Sequence, residues 1–320
     1  MSFENLRPDN ILSSVEKALG LSLTSLMSSF PSYINRVYEL CTVDGSRLVA
    51  KFYRPGRWSR EAIIDEHNFI ADCSDAEIPV VAPLCLENGG TLGEHEGIYL
   101  AVFPKRSGRQ IEICNDTDWG RLGSLIARMH LAGDKRKAAA RITIDPALST
   151  KNDIEYLCTN VIPSRFIQQY RDIGNYLIDI SAPLFENVDT IRIHGDCHRG
   201  NIMDRLEEGY LLIDFDDMAM GQPVQDMWLL LPDRVDACKR ETELFVQGYE
   251  RFRSFDRSSI RCVEPLRAMR MIYFLSWCSR QANDYQFRTN FPEWGSESFW
   301  QKEISDLREQ IGEIENTSSR

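Results

Sequence analysis

The chain has 320 residues, of which 43% are hydrophobic and 27% charged, and its formal net charge is −11. This length can bury a large core in one domain or in two lobes, and the composition is that of an ordinary globular protein. The negative charge argues against binding to a nucleic acid, because the phosphate backbone would repel it. A cationic substrate, or a basic pocket within an acidic surface, stays compatible with the charge.

Nine dispersed cysteines without a CxxC pair indicate reduced thiols rather than a disulfide framework. The first residues, MSFENLRPDN, lack the basic and then apolar pattern of a signal peptide. The most apolar late segment, 271–279, is too short to cross a membrane. We therefore expect a cytoplasmic protein.

Residues 1–103 predict a mostly β unit. The residues over 33–55 alternate in polarity and flank Asp44-Gly45, and this pattern predicts a β-hairpin. Two further strands are predicted, over 79–87 and 97–103.

Two helices are predicted within the same unit. The first begins at Asp9-Asn10 and ends at Gly20. The second covers residues 59–73, where the apolar period becomes helical, and Ser59 is its expected N-cap.

The segment 104–108, PKRSG, interrupts the β pattern and predicts a hinge. Residues 109–320, which follow it, are mainly helical in pattern. Helices are predicted over 118–130, 164–185, 235–252, 261–281 and 298–314. Short strands are predicted over 190–194 and 210–215. The segment 134–142 is predicted to be an exposed connection.

The stretch at residues 192–203, RIHGDCHRGNIM, concentrates reactive side chains. One interpretation is zinc binding by His194, Cys197 and His198, but structural zinc needs four ligands and the sequence offers no second ligand pair. Another is a thiol nucleophile at Cys197, but the remaining histidines lie in unrelated contexts. Both interpretations are open but disfavoured.

A third interpretation follows from the spacing of this stretch. Asp196 and Asn201 stand as in the H-x-D-x-x-x-x-N catalytic loop of protein kinases, and Asp214, thirteen residues after Asn201, stands as the aspartate of their D-F-G segment. Phosphoryl transfer needs a carboxylate that takes the proton of the acceptor hydroxyl, and an amide oxygen and a second carboxylate that hold Mg²⁺. Asp196 is therefore the candidate base, and Asn201 and Asp214 are the candidate metal ligands.

A lysine and a glutamate of the N-terminal unit complete this pattern. Lys51 lies in the second half of the predicted hairpin, where a kinase places the lysine that holds the nucleotide phosphates. Glu66 falls on the apolar face of the predicted helix over 59–73. Because a carboxylate on a buried face usually has a cationic partner, we expect Lys51 and Glu66 to pair at the nucleotide site.

The glycine-rich signature G-x-G-x-x-G is absent before Lys51. The matching turn lies over residues 29–37 and contains no glycine. The Ser32 hydroxyl and the backbone amides of this turn can donate to phosphate oxygens, and Asn35 and Arg36 are candidate helpers. Ser32 is therefore a candidate nucleotide-binding residue.

The sequence resembles the aminoglycoside/choline kinase-like branch of the protein-kinase fold, which also lacks the glycine-rich signature. Beyond HGDxHxGNI and IDFDD, further segments resemble the bacterial stress response kinases of this branch. They read YxNRVYEL, VAKFYRPGRW, GQPVQDMWLLL and EPLRAMRMIYFLSW. The resemblance covers roughly residues 30–300.

The resemblance implies an α+β, bilobal protein-kinase-like fold, with a β-rich N-lobe and a mainly helical C-lobe. It implies cytoplasmic serine/threonine protein kinases that use ATP and Mg²⁺ and protect bacteria from stress-induced cell death. By position, it makes Asp196 the proton acceptor, Asn201 and Asp214 the Mg²⁺ ligands, and Ser32 part of the ATP loop.

We accordingly expect an N-lobe over 1–103, a hinge over 104–108 and a C-lobe over 109–320. The expected activity is transfer of the ATP γ-phosphate to serine or threonine hydroxyls of proteins. We expect no nucleic-acid or membrane partner, and a monomer. The alternatives are a small-molecule kinase for an amino alcohol or aminoglycoside, which the acidic charge would suit, and a catalytically inactive nucleotide-binding module.

Four further residues have two interpretations each. Asp216 is an auxiliary Mg²⁺ ligand, which we favour, or is merely solvated. Asp226 hydrogen-bonds the catalytic loop or caps a helix. His198 contacts the γ-phosphate or belongs to the frame of the loop. Arg270 is structural, which we favour, or lines the acceptor cleft.

Overall fold

In the computed structural model, which describes residues 3, 6–32, 34–282 and 284–318, contacts between residues divide the chain into two units. The sheet unit contains the described residues of Met1–Glu112, Ala138–Arg141 and His198–Met218. The helical unit contains those of Ile113–Lys137, Ile142–Cys197 and Ala219–Arg320. The lobe boundaries inferred from the sequence stay a prediction, and they differ from this grouping mainly in the place of residues 198–218.

The sheet unit is built around a five-stranded antiparallel sheet in the order β1-β2-β3-β5-β4. Its strands are β1 (Leu23–Ser29), β2 (Arg36–Thr42), β3 (Arg47–Phe52), β4 (Gly93–His95) and β5 (Ile98–Pro104). The hairpin predicted at Asp44-Gly45 is confirmed, because β2 and β3 pair on either side of it. A second, three-stranded sheet of the same unit is formed by β6 (Arg109–Gln110), β8 (Ile202–Asp204) and β9 (Tyr210–Leu212).

The two helices of the sheet unit are α1 (Pro8–Leu19) and α2 (Arg60–Asp75). Gly20 ends α1 in the left-handed conformation, as predicted, but the helix begins after Arg7, so the predicted cap at Asp9-Asn10 is wrong. The cap of α2 is confirmed, because the Ser59 hydroxyl accepts a hydrogen bond from the Ala62 amide.

Helix α1 packs against one face of β3. Leu48, Ala50 and Phe52 are buried in one cluster with Ile11 and Val15 of α1. Since successive side chains of a strand point to opposite faces, Lys51 lies on the face of β3 that α1 does not cover.

One strand prediction for this unit is wrong, and one strand was missed. Residues 79–87 form no strand, and Val80 makes an isolated bridge to Leu212. The prolines at 79 and 83 lack the amide donors of a continuous ladder. Strand β1 was not predicted, because its sequence LTSLMSS is largely polar and partly exposed, so its polarity pattern gives no signal.

The helical unit contains eight α-helices among the residues described. They are α3 (Asp116–Asp134), α4 (Lys151–Asn160), α5 (Ser164–Ser181), α6 (Val224–Trp228), α7 (Lys239–Tyr249), α8 (Val263–Ser279), α9 (Tyr285–Asn290) and α10 (Glu297–Ser318). The five predicted helices are confirmed with shifted ends, as α3, α5, α7, α8 and α10. Strands β7 (Ile191–Ile193) and β10 (Ala219–Gly221) form a two-stranded sheet. Within the described part of the chain, no helix has the length and apolar character that a membrane crossing requires.

Helices α3 and α7 cross at a pair of glycines. A Cβ atom on Gly123 would lie 2.0 Å from the carbonyl oxygen of Phe245, and one on Gly248 would lie 2.0 Å from that of Gly120. Only glycine permits so close an approach of two backbones.

Candidate active site

The two candidate metal ligands flank one short hairpin of the sheet unit. Strands β8 and β9 pair Ile202 with Leu212, and the ladder continues with a hydrogen bond from the Ile213 amide to the Asn201 carbonyl, 3.0 Å. Asn201 and Asp214 are therefore the residues just beyond the paired end of the hairpin, on opposite strands. The local sequence is enough to bring them together.

Asp214 is suited to a metal ion by its backbone and its exposure. It is a non-glycine residue with a φ of 59°, a left-handed conformation that is concentrated at functional sites. Its side chain is 56% exposed and contacts Lys51 at 3.4 Å. An exposed carboxylate beside an amide oxygen is a donor set that fits Mg²⁺. Among the described residues, no group of three histidine, cysteine or acidic side chains is arranged to hold a metal.

Lys51 lies in a buried charge network rather than in a single pair. Its ammonium nitrogen is 3.0 Å from Asp216 Oδ1, 3.4 Å from Asp214 Oδ1 and 3.5 Å from Glu66 Oε1. The structure thus brings Lys51 and Glu66 together, but Asp216 is nearer. Burial opposes the charge of Lys51, but these carboxylates outweigh it, so the pKa of Lys51 lies well above its usual value. Lys51 is therefore a fixed cation.

Asp216 is buried, so the interpretation that it is merely solvated is wrong. Its Oδ2 is contacted by Arg57, which also reaches Asp217 Oδ1 at 2.6 Å. Burial alone would raise the pKa of Asp216, but Arg57, Lys51 and Arg141 outweigh it and lower the pKa below its usual range. In this structure Asp216 acts as the counter-ion of Lys51 and Arg57.

Arg141 is a member of this network that sequence reasoning missed. Its guanidinium donates to Glu66 Oε2 at 2.8 Å, to the Asp216 carbonyl at 2.9 Å and to the Ala62 carbonyl at 2.8 Å. Arg141 side-chain exposure is 0%, so the prediction that 134–142 is an exposed connection is wrong at this residue. The apolar neighbours of Arg141 in the stretch 138–142, AAARI, are the one signal in the sequence that this arginine is buried.

A cavity of about 660 Å³ opens beside this network, within the sheet unit. One part of its lining is apolar, with Val37, Val49, Phe103, Met203 and Ile213. The polar part of the lining comes from Ser32, Lys51, Glu66 and Asp214. The residues of the predicted hinge, 104–108, line the same cavity. An apolar slot with a cation at its polar end suits a nucleotide, whose base is flat and whose phosphates are anionic.

The glycine-free turn that follows β1 also lines this cavity. Phe30, Pro31, Ser32 and Asn35 contribute to the lining, while Tyr33 lies outside the described residues. Asn35 is buried, and its side-chain oxygen accepts a hydrogen bond from the Arg54 amide at 3.0 Å. Asn35 therefore ties the turn to the end of the hairpin, and Ser32 faces the cavity.

The candidate catalytic loop begins in the helical unit, where Asp226 holds its backbone. The carboxylate of Asp226 accepts hydrogen bonds from the amides of His194, 2.8 Å, and Gly195, 2.9 Å. Its Oδ2 also contacts His130 Nε2 at 3.1 Å. Asp226 lies inside α6, so the interpretation as a bond to the loop is confirmed and the cap is wrong. Gly195 has a φ of 80°, a conformation that favours glycine.

Asp196 follows Gly195 and forms an ion pair with Arg270 of α8. Arg270 Nη2 lies 2.6 Å from Asp196 Oδ1, 74 positions away along the chain. Asp226 thus holds the backbone of the two residues before the candidate base, and Arg270 pairs with the side chain of the base.

The other reactive side chains of the loop are part of its frame. Cys197 is fully buried, and burial raises the pKa of its thiol well above the usual value, which disfavours a thiolate nucleophile. His198 caps the next turn, where its Nδ1 accepts from the Gly200 amide at 3.0 Å. With no metal cluster among the described residues, zinc binding has no support.

Comparison with known proteins identifies the family. The model of the phosphotransferase enzyme family matches residues 27–263, a range that contains Lys51, Asp196, Asn201 and Asp214. The chain belongs to this family. The protein is therefore a phosphotransferase. The kinase-like resemblance inferred from the sequence is confirmed.

Two curated relatives of the phosphotransferase match nearly the whole chain. It is 36% identical to stress response kinase A of Escherichia coli strain K12, over 97% of this chain and 94% of that protein. It is 35% identical to the serine/threonine protein kinase RdoA of Salmonella typhimurium, with the same coverage. The predicted resemblance to stress response kinase A is thereby confirmed.

Solved structures confirm the α+β, protein-kinase-like fold of this phosphotransferase. One is the amicoumacin kinase hAmiN in complex with AMP-PNP, Ca²⁺ and Ami, with a TM-score of 0.73, 18% identity, and coverage of 96% of this chain and 93% of that one. Another is a microcompartment-associated aminopropanol kinase, with a TM-score of 0.68, 16% identity and 96% coverage of both chains.

The role of Asp214 can be tested through the metal. We expect Asp214→Ala to weaken Mg²⁺-dependent nucleotide binding by at least about 10-fold, since even partners that merely orient a metal ligand contribute about 10- to 100-fold to metal affinity. Titration calorimetry with ATP, with and without Mg²⁺, measures this. Asp204→Ala, which removes a carboxylate at the end of β8, is the control. Equal loss of ATP binding in EDTA would contradict a metal role.

Proposed function

We propose that the protein is an ATP- and Mg²⁺-dependent kinase that transfers the γ-phosphoryl group to serine or threonine hydroxyls of proteins. The observation that carries this proposal is the near full-length similarity to relatives named stress response kinase A and serine/threonine protein kinase RdoA. The alternative of an inactive nucleotide-binding module is disfavoured, because Lys51, Asp196, Asn201 and Asp214 are all present. By the same similarity, we assign the protein to a bacterial stress response in the cytoplasm.

The cavity of the sheet unit supports ATP as the phosphoryl donor. The adenine base would lie between the apolar side chains of Val49, Phe103 and Met203. The phosphates would then lie toward Lys51, whose charge is fixed by the carboxylates around it. Ser32 stands at the same cavity and can donate its hydroxyl hydrogen to a phosphate oxygen.

Asn201 and Asp214 would hold the divalent cation at the polar end of this cavity. When bound, Mg²⁺ neutralises the phosphate oxygens and aligns the γ-phosphoryl group. The Asp214 carboxylate contacts Lys51 at 3.4 Å, so the same residue would connect the metal position with the lysine.

Asp196 is the proposed proton acceptor. As the acceptor hydroxyl oxygen forms a bond to the γ-phosphorus, its proton passes to an Asp196 carboxylate oxygen. The bond between the γ-phosphorus and the oxygen that bridges to the β-phosphate breaks at the same time, and ADP leaves. The Asp226 carboxylate accepts from the amides of the two residues that precede the base. The chain that leads to Asp196 is therefore fixed during the reaction.

The net charge of −11 favours one second candidate, a kinase for a cationic small molecule. A negatively charged surface raises the local concentration of a cationic substrate. This candidate shares the donor site, the metal ligands and the base with the protein kinase, and differs from it in the acceptor alone.

Comparing acceptors distinguishes the two functions. With labelled ATP and Mg²⁺, we expect transfer to a generic protein substrate such as casein, retained on phosphoserine or phosphothreonine after acid hydrolysis. A parallel panel of amino alcohols and aminoglycosides should show little transfer, and Asp196→Ala serves as the blank in both arms. Transfer confined to the small molecules would reverse the assignment, and no transfer to any acceptor would refute both.

A further inference from the structure

The side chain of Asp196 has a partner whose role the fold alone does not explain. Two side chains of α6 hold the peptide groups before Asp196. The Asp226 carboxylate accepts hydrogen bonds from the amides of His194 and Gly195. The Gln225 side chain donates through Nε2 to the Gly195 carbonyl at 3.1 Å. These contacts leave the side-chain torsions of Asp196 undetermined. One contact that restricts them is the 2.6 Å pair with Arg270 Nη2.

The helix that carries Arg270 is anchored in the core of the helical unit. Ala268, Ile272 and Leu275 of α8 are buried in a cluster with α4, α5 and α10. The Cα position of Arg270 is therefore rigid, and its guanidinium reaches Asp196 from a fixed helix. Within the described part of the chain, Asp196 is the hydrogen-bond partner of this guanidinium.

Stability does not account for this pair. The side chains of Arg270 and Asp196 are 34% and 21% exposed, and ion pairs that water reaches contribute little to folding. The geometry of a catalytic carboxylate matters far more, since a displacement of about 1 Å can cost about 10²-fold in rate. The functional effect of this contact is therefore expected to exceed its structural effect.

We propose that Arg270 is the positioning residue of the base: it holds the Asp196 carboxylate in the orientation that meets the acceptor hydroxyl. This inference rests on the proposed function, because it takes Asp196 as the proton acceptor. It replaces the sequence-based preference for a purely structural Arg270. The role is independent of whether the acceptor is a protein or a small molecule.

The test compares Arg270→Gln and Arg270→Lys in the acceptor assay. We expect kcat of Arg270→Gln to fall by about 10- to 100-fold, with the KM for ATP and the melting temperature nearly unchanged. Arg270→Lys should recover part of kcat, because an ammonium group keeps the charge but lacks the rigid planar geometry of the guanidinium. Arg240→Gln is the control, since it removes an exposed Arg–Asp pair, with Asp116, from the same unit.

A double variant separates positioning from a general effect. Asp196→Ala combined with Arg270→Gln should be no slower than Asp196→Ala alone, because Arg270 acts through the carboxylate. Full activity of Arg270→Gln beside an inactive Asp196→Ala would overturn this inference and leave the proposed function intact. A raised KM for ATP with unchanged kcat would also overturn it. Full activity of Asp196→Ala would instead refute the proposed base.

Discussion

Asp196→Ala is expected to lower kcat by about 10²- to 10⁴-fold, the usual contribution of a positioned general base, while ATP still binds. The donor cavity and its lysine lie within the sheet unit, whereas Asp196 belongs to the helical unit. The substitution removes no residue that lines the cavity, so nucleotide affinity should be retained. Steady-state kinetics for kcat and calorimetry for ATP measure the two quantities separately.

The matched control for this variant is Asp204→Ala, which removes an aspartate at the end of β8 that the proposed mechanism does not use. Asp196→Asn adds a near-isosteric test, because the amide keeps the shape of the side chain and lacks the basicity. A turnover of Asp196→Asn close to that of the unaltered protein would contradict the assignment of Asp196 as the base.

Arg141→Gln is expected to lower the free energy of unfolding of the protein by about 3–5 kcal/mol, the cost of removing one partner from a buried ion pair. Arg141 and Glu66 are both buried, and the guanidinium also holds two backbone carbonyls. Burial already raises the pKa of Glu66, and Lys51 and Arg141 act against that rise. Without Arg141, the anionic form of Glu66 loses support and the ATP affinity should fall as Lys51 loses its alignment.

Urea unfolding and ATP titration of the same variant check both effects. The double variant Glu66→Gln with Arg141→Gln should regain part of the lost stability, because residue 66 is then no longer a buried carboxylate that has lost a cationic partner. Arg47→Gln is the control, because it breaks an ion pair with Glu39 in which the arginine side chain is 69% exposed. A loss for Arg141→Gln no larger than for Arg47→Gln would show that the buried network contributes nothing.

The core of the candidate donor and metal site could be inferred from the sequence because its parts are local. Asn201 and Asp214 belong to one short hairpin, and the spacing along the chain sets their places at its end. Lys51 faces the cavity because alternation along β3 places Leu48, Ala50 and Phe52 on the other face. The apolar period of α2 likewise places Glu66 among buried residues.

The polarity pattern failed where an element is short, polar or irregular. Strand β1 carries few apolar residues, and the segment 79–87 has an apolar run that two prolines prevent from pairing. Neither element has the periodicity on which such predictions depend.

The sequence by itself determined the family and the fold class, and it singled out Asp196, Asn201, Asp214 and Lys51 as the candidate site residues. Only the tertiary structure decided their partners: Arg141 for Glu66, 75 positions away, and Arg270 for Asp196, 74 positions away. An arginine in a connection or on a helix carries no local signal of the carboxylate that it will meet. The ion pair forms when the surrounding apolar side chains become buried and exclude water, because a buried charge without a partner is then unfavourable.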